Sequence, residues 1–195
     1  NPSAGRAQTS RNLDMLLQKF CTGGCETTVY PILDGLNAED ILAGAESAGY
    51  DIVVCCGGDG TLHHTVNGLL RLEQPPLLGY IPSGSTNDFA ASLGLPKTPE
   101  DAADAVVNGR PHAIDAGDFG GELFCYVAAF GAFSAVSYET PQNMKNAMGH
   151  LAYIIEGVKR LPVGEKYPAR VEVGDQVFEE EFLFCSISNT TSIGG

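Results

Sequence analysis

The sequence predicts an α/β protein in two lobes: a parallel sheet flanked by helices, then a β-rich, sandwich-like second lobe that is incomplete. Three observations carry this prediction. Helix-like and strand-like segments alternate through residues 1–110, the rhythm of a sheet with helices on both faces. The run Asp51–Cys56 is short and continuously apolar, as in a strand covered on both sides. After Arg110 the pattern changes to paired strand-like runs around Gly-rich turns. The expected division is therefore 1–110 and 111–195, the second lobe being truncated at its C-terminus.

Taken in order, Leu13, Leu16, Leu17 and Phe20 recur at helical spacing, and Gly23-Gly24 follow as a stop. Glu26 to Leu33 is β-branched and reads as a strand. Asn37-Ala38-Glu39-Asp40 reads as a capped helix start, with Ile41, Leu42, Ala45 and Ala48 as its inner face. Asp51–Cys56 is followed by a helix from about Thr61 to Arg71, then by a strand from Leu77 to Ile81. A helix through Phe89, Ala90 and Leu93 comes next. Another begins at Thr98 as N-cap, with Pro99 in its first turn, Asp101 three residues after the cap and Gly109 past its end. In the second lobe, Ala113–Phe119 with Leu123–Phe130 reads as one hairpin and Arg170–Val173 with Val177–Ser188 as another. One helix, about Met144 to Leu161, lies between them.

Composition narrows the function. The hydrophobic share is 44% and mean hydropathy is zero, as in an ordinary soluble domain. No apolar run approaches the ~20 residues of a membrane span, and the polar opening Asn1–Arg6 does not read as a signal peptide. The formal net charge is -13, which speaks against nucleic-acid binding. Five of the eleven basic residues (Lys145, Lys159, Arg160, Lys166, Arg170) nevertheless fall together around the helix of the second lobe. That helix, with Leu151, Tyr153, Ile154, Ile155, Val158 and Leu161, reads first as a core helix; the basic patch around it supports the alternative, contact with an anionic lipid surface. The six cysteines have neither a disulfide framework nor zinc spacing, and read as free thiols in a reducing cytosol. Both ends are turn-like sequences that ought to join further elements, so the expectation is a piece of a longer chain.

Ligands of open α/β sheets sit at the carboxyl ends of the strands. There the sequence places Gly57-Gly58-Asp59-Gly60-Thr61. Glycine lets the backbone approach a ligand, and a following helix N-terminus suits phosphate. A carboxylate in that setting requires a cation between it and the phosphate oxygens, and Mg²⁺ is the natural one. Alternatively Asp59 only caps the helix. A second strand end carries Ser83-Gly84-Ser85-Thr86-Asn87-Asp88, and Asn1-Pro2-Ser3-Ala4-Gly5 forms a third polar loop before a helix. Neither the Walker-A pattern nor GxGxxG is present.

The string "NPSAG…GGDGTLHHTVNGL…GYIPSGSTNDFAASLGLP…HAIDAGDF" resembles the diacylglycerol kinase catalytic-domain family, whose fold is akin to NAD kinases. "SYETPQNMKNAMGHLAYIIEGVKRLP" and "SISNTTSIGG" look like the soluble diacylglycerol kinases of Gram-positive bacteria. The resemblance implies a transferase that passes the γ-phosphoryl group of ATP to the hydroxyl of diacylglycerol, with Mg²⁺ as cofactor, to give phosphatidic acid. It places Asn1, Pro2, Ser3, Gly57, Gly58, Gly60 and Thr61 along the ATP site. Asp59 stands at the phosphates and their Mg²⁺. Ser85, Thr86 and Asn87 contact nucleotide, and Asp88 is needed for activity. Asp115 would join a structural magnesium network, with Arg6 where relatives carry a basic residue; otherwise Asp115 is a plain turn carboxylate. The implied setting is cytoplasmic, peripheral at the inner face of the membrane, and a homodimer is plausible from exposed hairpin edges.

Departures accompany the likeness. His63 and His64 stand where relatives commonly have Asn and Glu, and read as helix-surface or cleft-edge residues. The segment expected to hold the catalytic base lies beyond this sequence, so the chain by itself should be inactive. The competing readings keep the fold but change the acceptor, to a sphingoid base, phosphatidylglycerol or NAD, or make the chain a nucleotide-binding module without catalysis.

Overall fold

The computed structural model describes residues 8–33, 36, 38–131 and 166–190. The helix expected over Met144–Leu161, the loop Asn1–Gly5, Arg6 and three members of the basic patch (Lys145, Lys159, Arg160) lie outside the described residues. The chain forms two compact units, one of residues 1–126 with 189–195, the other of residues 127–188. The first unit thus takes in the segment from Arg110 to Tyr126.

Among the described residues the first unit is built on two parallel strands, β1 (Ile52–Gly57) and β2 (Leu77–Pro82), paired from Ile52↔Leu77 to Gly57↔Pro82. Alternate residues of these strands face opposite layers. On one face, Cys55 and Tyr80 pack with Leu62, Val66, Phe89 and Ala90 of α5 (Asp59–Leu69) and α6 (Asp88–Ser92). On the other, Val54, Cys56 and Ile81 pack with Leu16 and Phe20 of α2 (Leu13–Thr22) and Ala102 and Ala103 of α7 (Pro99–Asn108). The helices on both sides explain why β1 carries no polar alternation. Short α1 (Gln8–Arg11) precedes α2, and Lys19 of α2 reaches Asp104 of α7 at 2.9 Å. Thr98 caps α7 as its sequence requires: its Oγ1 accepts from the Asp101 amide at 3.1 Å and donates to the Asp101 carboxylate at 2.7 Å.

Two local expectations need correction. Glu26–Leu33 is not a strand; among the described residues its one pairing is an isolated bridge, Leu33↔Leu36. Strand preference expresses fit to a pleated, half-buried surface, and Val29 and Tyr30 are 47% and 53% exposed instead. The helix expected from Asn37 onward is two short pieces, α3 (Ala38–Leu42) and α4 (Ala45–Ala48), separated at Ala43-Gly44. Leu42 and Ala45 are buried as expected and Ala38 is buried as well, but Ile41 is only half-buried and Ala48 is exposed.

The β-rich part is also arranged differently from two simple hairpins. β3 (Gly117–Phe119) and β4 (Glu122–Phe124) form a short hairpin across Gly120-Gly121, within the first unit. β5 (Val127–Gly131) does not continue that hairpin. It pairs antiparallel with β8 (Phe184–Ser188), from Val127↔Ser188 to Gly131↔Phe184. β6 (Tyr167–Val173) and β7 (Gln176–Phe182) pair across Gly174, which has φ +57°. On that hairpin Arg170 meets Glu172 and Glu179, and Lys166 lies 3.4 Å from Glu181. These two members of the basic patch are therefore already ion-paired. Among the described residues no helix is long and apolar enough to cross a membrane.

Candidate functional site: two glycine-lined strand ends

Because β1 and β2 are parallel and in register at Gly57↔Pro82, the two loops that follow them leave the same edge of the sheet. The ladder runs one residue further, with the Ser83 amide donating to the Gly57 carbonyl at 2.8 Å. The Tyr80 hydroxyl donates to that same carbonyl at 3.2 Å. The loops then touch backbone to backbone. A Cβ on Gly84 would lie 2.5 Å from the Gly58 Cα and 2.7 Å from the Asn87 Oδ1. Only hydrogen fits there, which is a physical reason for glycine in both loops.

Asn87 closes the second loop. It has φ 55° and ψ 42°, a left-handed conformation that Asn tolerates better than most side chains. Its Oδ1 accepts from the Gly84 amide at 2.8 Å, and its Nδ2 donates to the Gly84 carbonyl at 2.9 Å. Ser85 and Thr86 are thereby held at the exposed tip of the loop. In the first turn of α5, Gly60 is exposed and Thr61 is half-buried against Gly57.

Asp59 opens α5 and Asp88 opens α6, so the two loops deliver one carboxylate each. The Asp59 Oδ1 is buried with no hydrogen-bond partner. Burial raises the pKa of Asp59; the backbone amide of Phe89 opposes this, and the nearby charge of Asp88 raises it further. Asp88 is 9% exposed, and the Tyr126 hydroxyl donates to its Oδ2 at 2.9 Å. An orphaned, desolvated carboxylate oxygen beside a second carboxylate is destabilised unless a cation satisfies it. The pair is thus chemically suited to a hard divalent ion that takes oxygen ligands and keeps several waters.

Asp115 lies apart from any such pair. It is exposed, and its carbonyl accepts from the Asn189 Nδ2 at 2.6 Å. Among the described residues no three His, Cys, Asp or Glu side chains converge as a metal-binding group. His63 and His64 are partly exposed on α5. His63 Nε2 is 3.8 Å from Glu122, whereas His64 Nδ1 is 3.0 Å from the Glu39 carboxylate, which Arg71 also contacts. The hydrogen bond from His64, then the charge of Arg71, lower the pKa of Glu39 against its partial burial.

Motif reading gave several supporting residues no role of their own. Asn67 is 3% exposed and pairs with the Leu123 backbone like a strand neighbour, donating to its carbonyl and accepting from its amide, both at 2.9 Å. Ser83 is 1% exposed. Tyr126 sits in the apolar run Tyr126–Phe130 and reads as core, yet its hydroxyl reaches Asp88. Only a polar atom at the end of an otherwise apolar side chain could have pointed to it.

The family model of the diacylglycerol kinase catalytic domain matches residues 1–119. A diacylglycerol kinase of Bacillus subtilis (strain 168) is 36% identical over 198 residues, covering all of this chain and 65% of the relative. A diacylglycerol kinase of Staphylococcus saprophyticus is 35% identical, covering all of this chain and 64% of its own. The crystal structure of a diacylglycerol kinase from Bacillus anthracis superposes with a TM-score of 0.76 at 25% identity, over 100% of this chain and 64% of that one. The chain thus spans just under two thirds of the length of these relatives. With a match over more than half of its length, the chain belongs to the diacylglycerol kinase catalytic-domain family.

Proposed function

We propose that the protein of which this chain is part is an ATP- and Mg²⁺-dependent lipid kinase that phosphorylates diacylglycerol to phosphatidic acid. The observation that carries this reading is the orphaned Oδ1 of Asp59, held beside Asp88 where two glycine-lined loops meet. In this reading the backbone around Gly57, Gly58 and Gly60 lies along the phosphates, and Thr61, Ser85, Thr86 and Asn87 line the nucleotide. Asn1, Pro2 and Ser3 add the third loop. Asp59 and Asp88 would hold Mg²⁺ or its waters, and Asp115 would serve a separate structural ion. When bound, the ion neutralises charge on the phosphoryl group being transferred.

The chain's own residues act by positioning. The Gly58–Gly84 contact holds both loops together at one edge of the sheet, and the Asn87 clasp keeps the second loop from spreading. The acceptor hydroxyl oxygen forms the new bond to phosphorus, the bond to the ADP oxygen breaks, and the hydroxyl proton passes to a base. That base is expected from the part of the protein outside this chain. A diacylglycerol acceptor also implies contact with the inner face of the membrane from the cytoplasm. Among the described residues the outer edges of the β6–β7 hairpin are unpaired, the feature on which a homodimer would rest.

The test is phosphorylation by the full-length protein in mixed micelles with γ-labelled ATP and Mg²⁺. Label in phosphatidic acid supports the reading. Label in another lipid or in NAD changes the acceptor, and binding of ATP without transfer makes the chain a nucleotide-binding module.

A further inference from the structure

We propose that Tyr126 is a positioning residue for the Asp88 carboxylate, and that Asn189 holds Tyr126 in place for this task. The inference rests on the kinase reading and extends it to two residues outside the motif loops.

Asp88 is 9% exposed, and its Oδ2 accepts the Tyr126 hydroxyl at 2.9 Å. A carboxylate on a short side chain turns readily about its last bond, whose torsion is broad. One hydrogen bond to one oxygen fixes the plane of the group and leaves the other oxygen aimed elsewhere. Such a bond to a charged acceptor is among the stronger hydrogen bonds in proteins. The donor is itself held firmly. The ring of Tyr126 packs against the cluster of Cys55, Leu62, Val66, Tyr80, Phe89 and Ala90. Its carbonyl accepts the Asn189 amide at 2.9 Å. The Asn189 side chain donates to the carbonyl of Cys125 at 3.2 Å and to that of Asp115 at 2.6 Å. One asparagine from the end of the chain thus ties together the segment that carries Tyr126 and the segment that carries Asp115. The rigidity reaching Asp88 is supplied through backbone contacts that no loop motif encodes.

The experiment uses the full-length protein with Tyr126→Phe, which keeps the ring and removes only the hydroxyl. The expected result is a fall in kcat for lipid phosphorylation of about 10- to 100-fold, the size typical of a small misplacement at a reacting centre. The KM for Mg²⁺-ATP should rise by much less than kcat falls, because only the orientation of Asp88 changes while Asp59 and the loop backbone stay in place. At fixed pH the carboxyl ¹³C resonance of Asp88 should move in the variant, a readout that needs no turnover. Asn189→Ala should produce the same split between kcat and KM, and serves as the second variant if Tyr126→Phe folds poorly. An unmoved Asp88 resonance overturns the proposal. So does a moved resonance with kcat unchanged, or a loss of kcat matched by an equal rise in KM. Absence of transfer to any acceptor by the unsubstituted protein instead refutes the kinase reading on which the proposal rests.

Discussion

Asp59→Asn should make the protein more stable while removing its function. In the folded state Asp59 has a raised pKa, first because of burial and further because of the charge of Asp88. Its Oδ1 is buried without a partner. Asn keeps a polar atom at that position, so what the substitution relieves is the cost of the charge, its desolvation and the repulsion of Asp88. Asp59 is only partly buried, so solvent screening keeps this gain at about 1 kcal/mol. The folded state binds this proton more tightly than the unfolded chain. Stability is therefore lost as pH rises through the folded pKa of Asp59, and that loss is present at pH 7. Asn cannot ionise and escapes it. Without divalent cations, Asp59→Asn should raise the unfolding temperature at pH 7 by about 2–4 °C for a domain of this size. The advantage should shrink as the pH is lowered into the carboxylate range. Differential scanning calorimetry at several pH values, with chelator, measures this directly. A variant that is less stable at pH 7, or whose advantage does not change with pH, would refute the electrostatic reasoning.

Two further substitutions probe the frame around the site. Gly84→Ala places a methyl group 2.5 Å from the Gly58 Cα; it should cost about 1–3 kcal/mol by overpacking and weaken Mg²⁺-ATP binding at least tenfold in titration calorimetry. Asn67→Ala leaves the Leu123 amide and carbonyl without their partners; it should destabilise by about 2 kcal/mol in urea unfolding, two partly buried groups each near the lower end of about 1–3 kcal/mol.

The parts of the molecule set by local chemistry were legible in the sequence. α7 announces itself through Thr98, Pro99 and Asp101, and the structure contains that cap. β1 and β2 show as short apolar runs because helices cover both their faces. Both loops were visible because close backbone approach leaves glycine in the sequence. What depends on a distant neighbour was not legible. Glu26–Leu33 has strand-like residues but, among the described residues, no strand beside it, and it is irregular. β5 looks like the continuation of a hairpin until β8 is seen to be its partner. Asn67 pairs with Leu123, and Tyr126 with Asp88, across long stretches of chain, and neither pair has a spacing that a motif could record.

In the proposed kinase, Asp59 would meet the phosphates of ATP through a divalent cation, in service of phosphoryl transfer to a lipid. The most direct measurement is transfer of γ-labelled phosphate to diacylglycerol by the full-length protein and its Asp59→Asn variant, with Mg²⁺ present or chelated. The account predicts labelled phosphatidic acid only for the unsubstituted protein with Mg²⁺, while the variant remains folded. Transfer that persists in Asp59→Asn, or that does not depend on a divalent cation, would contradict it.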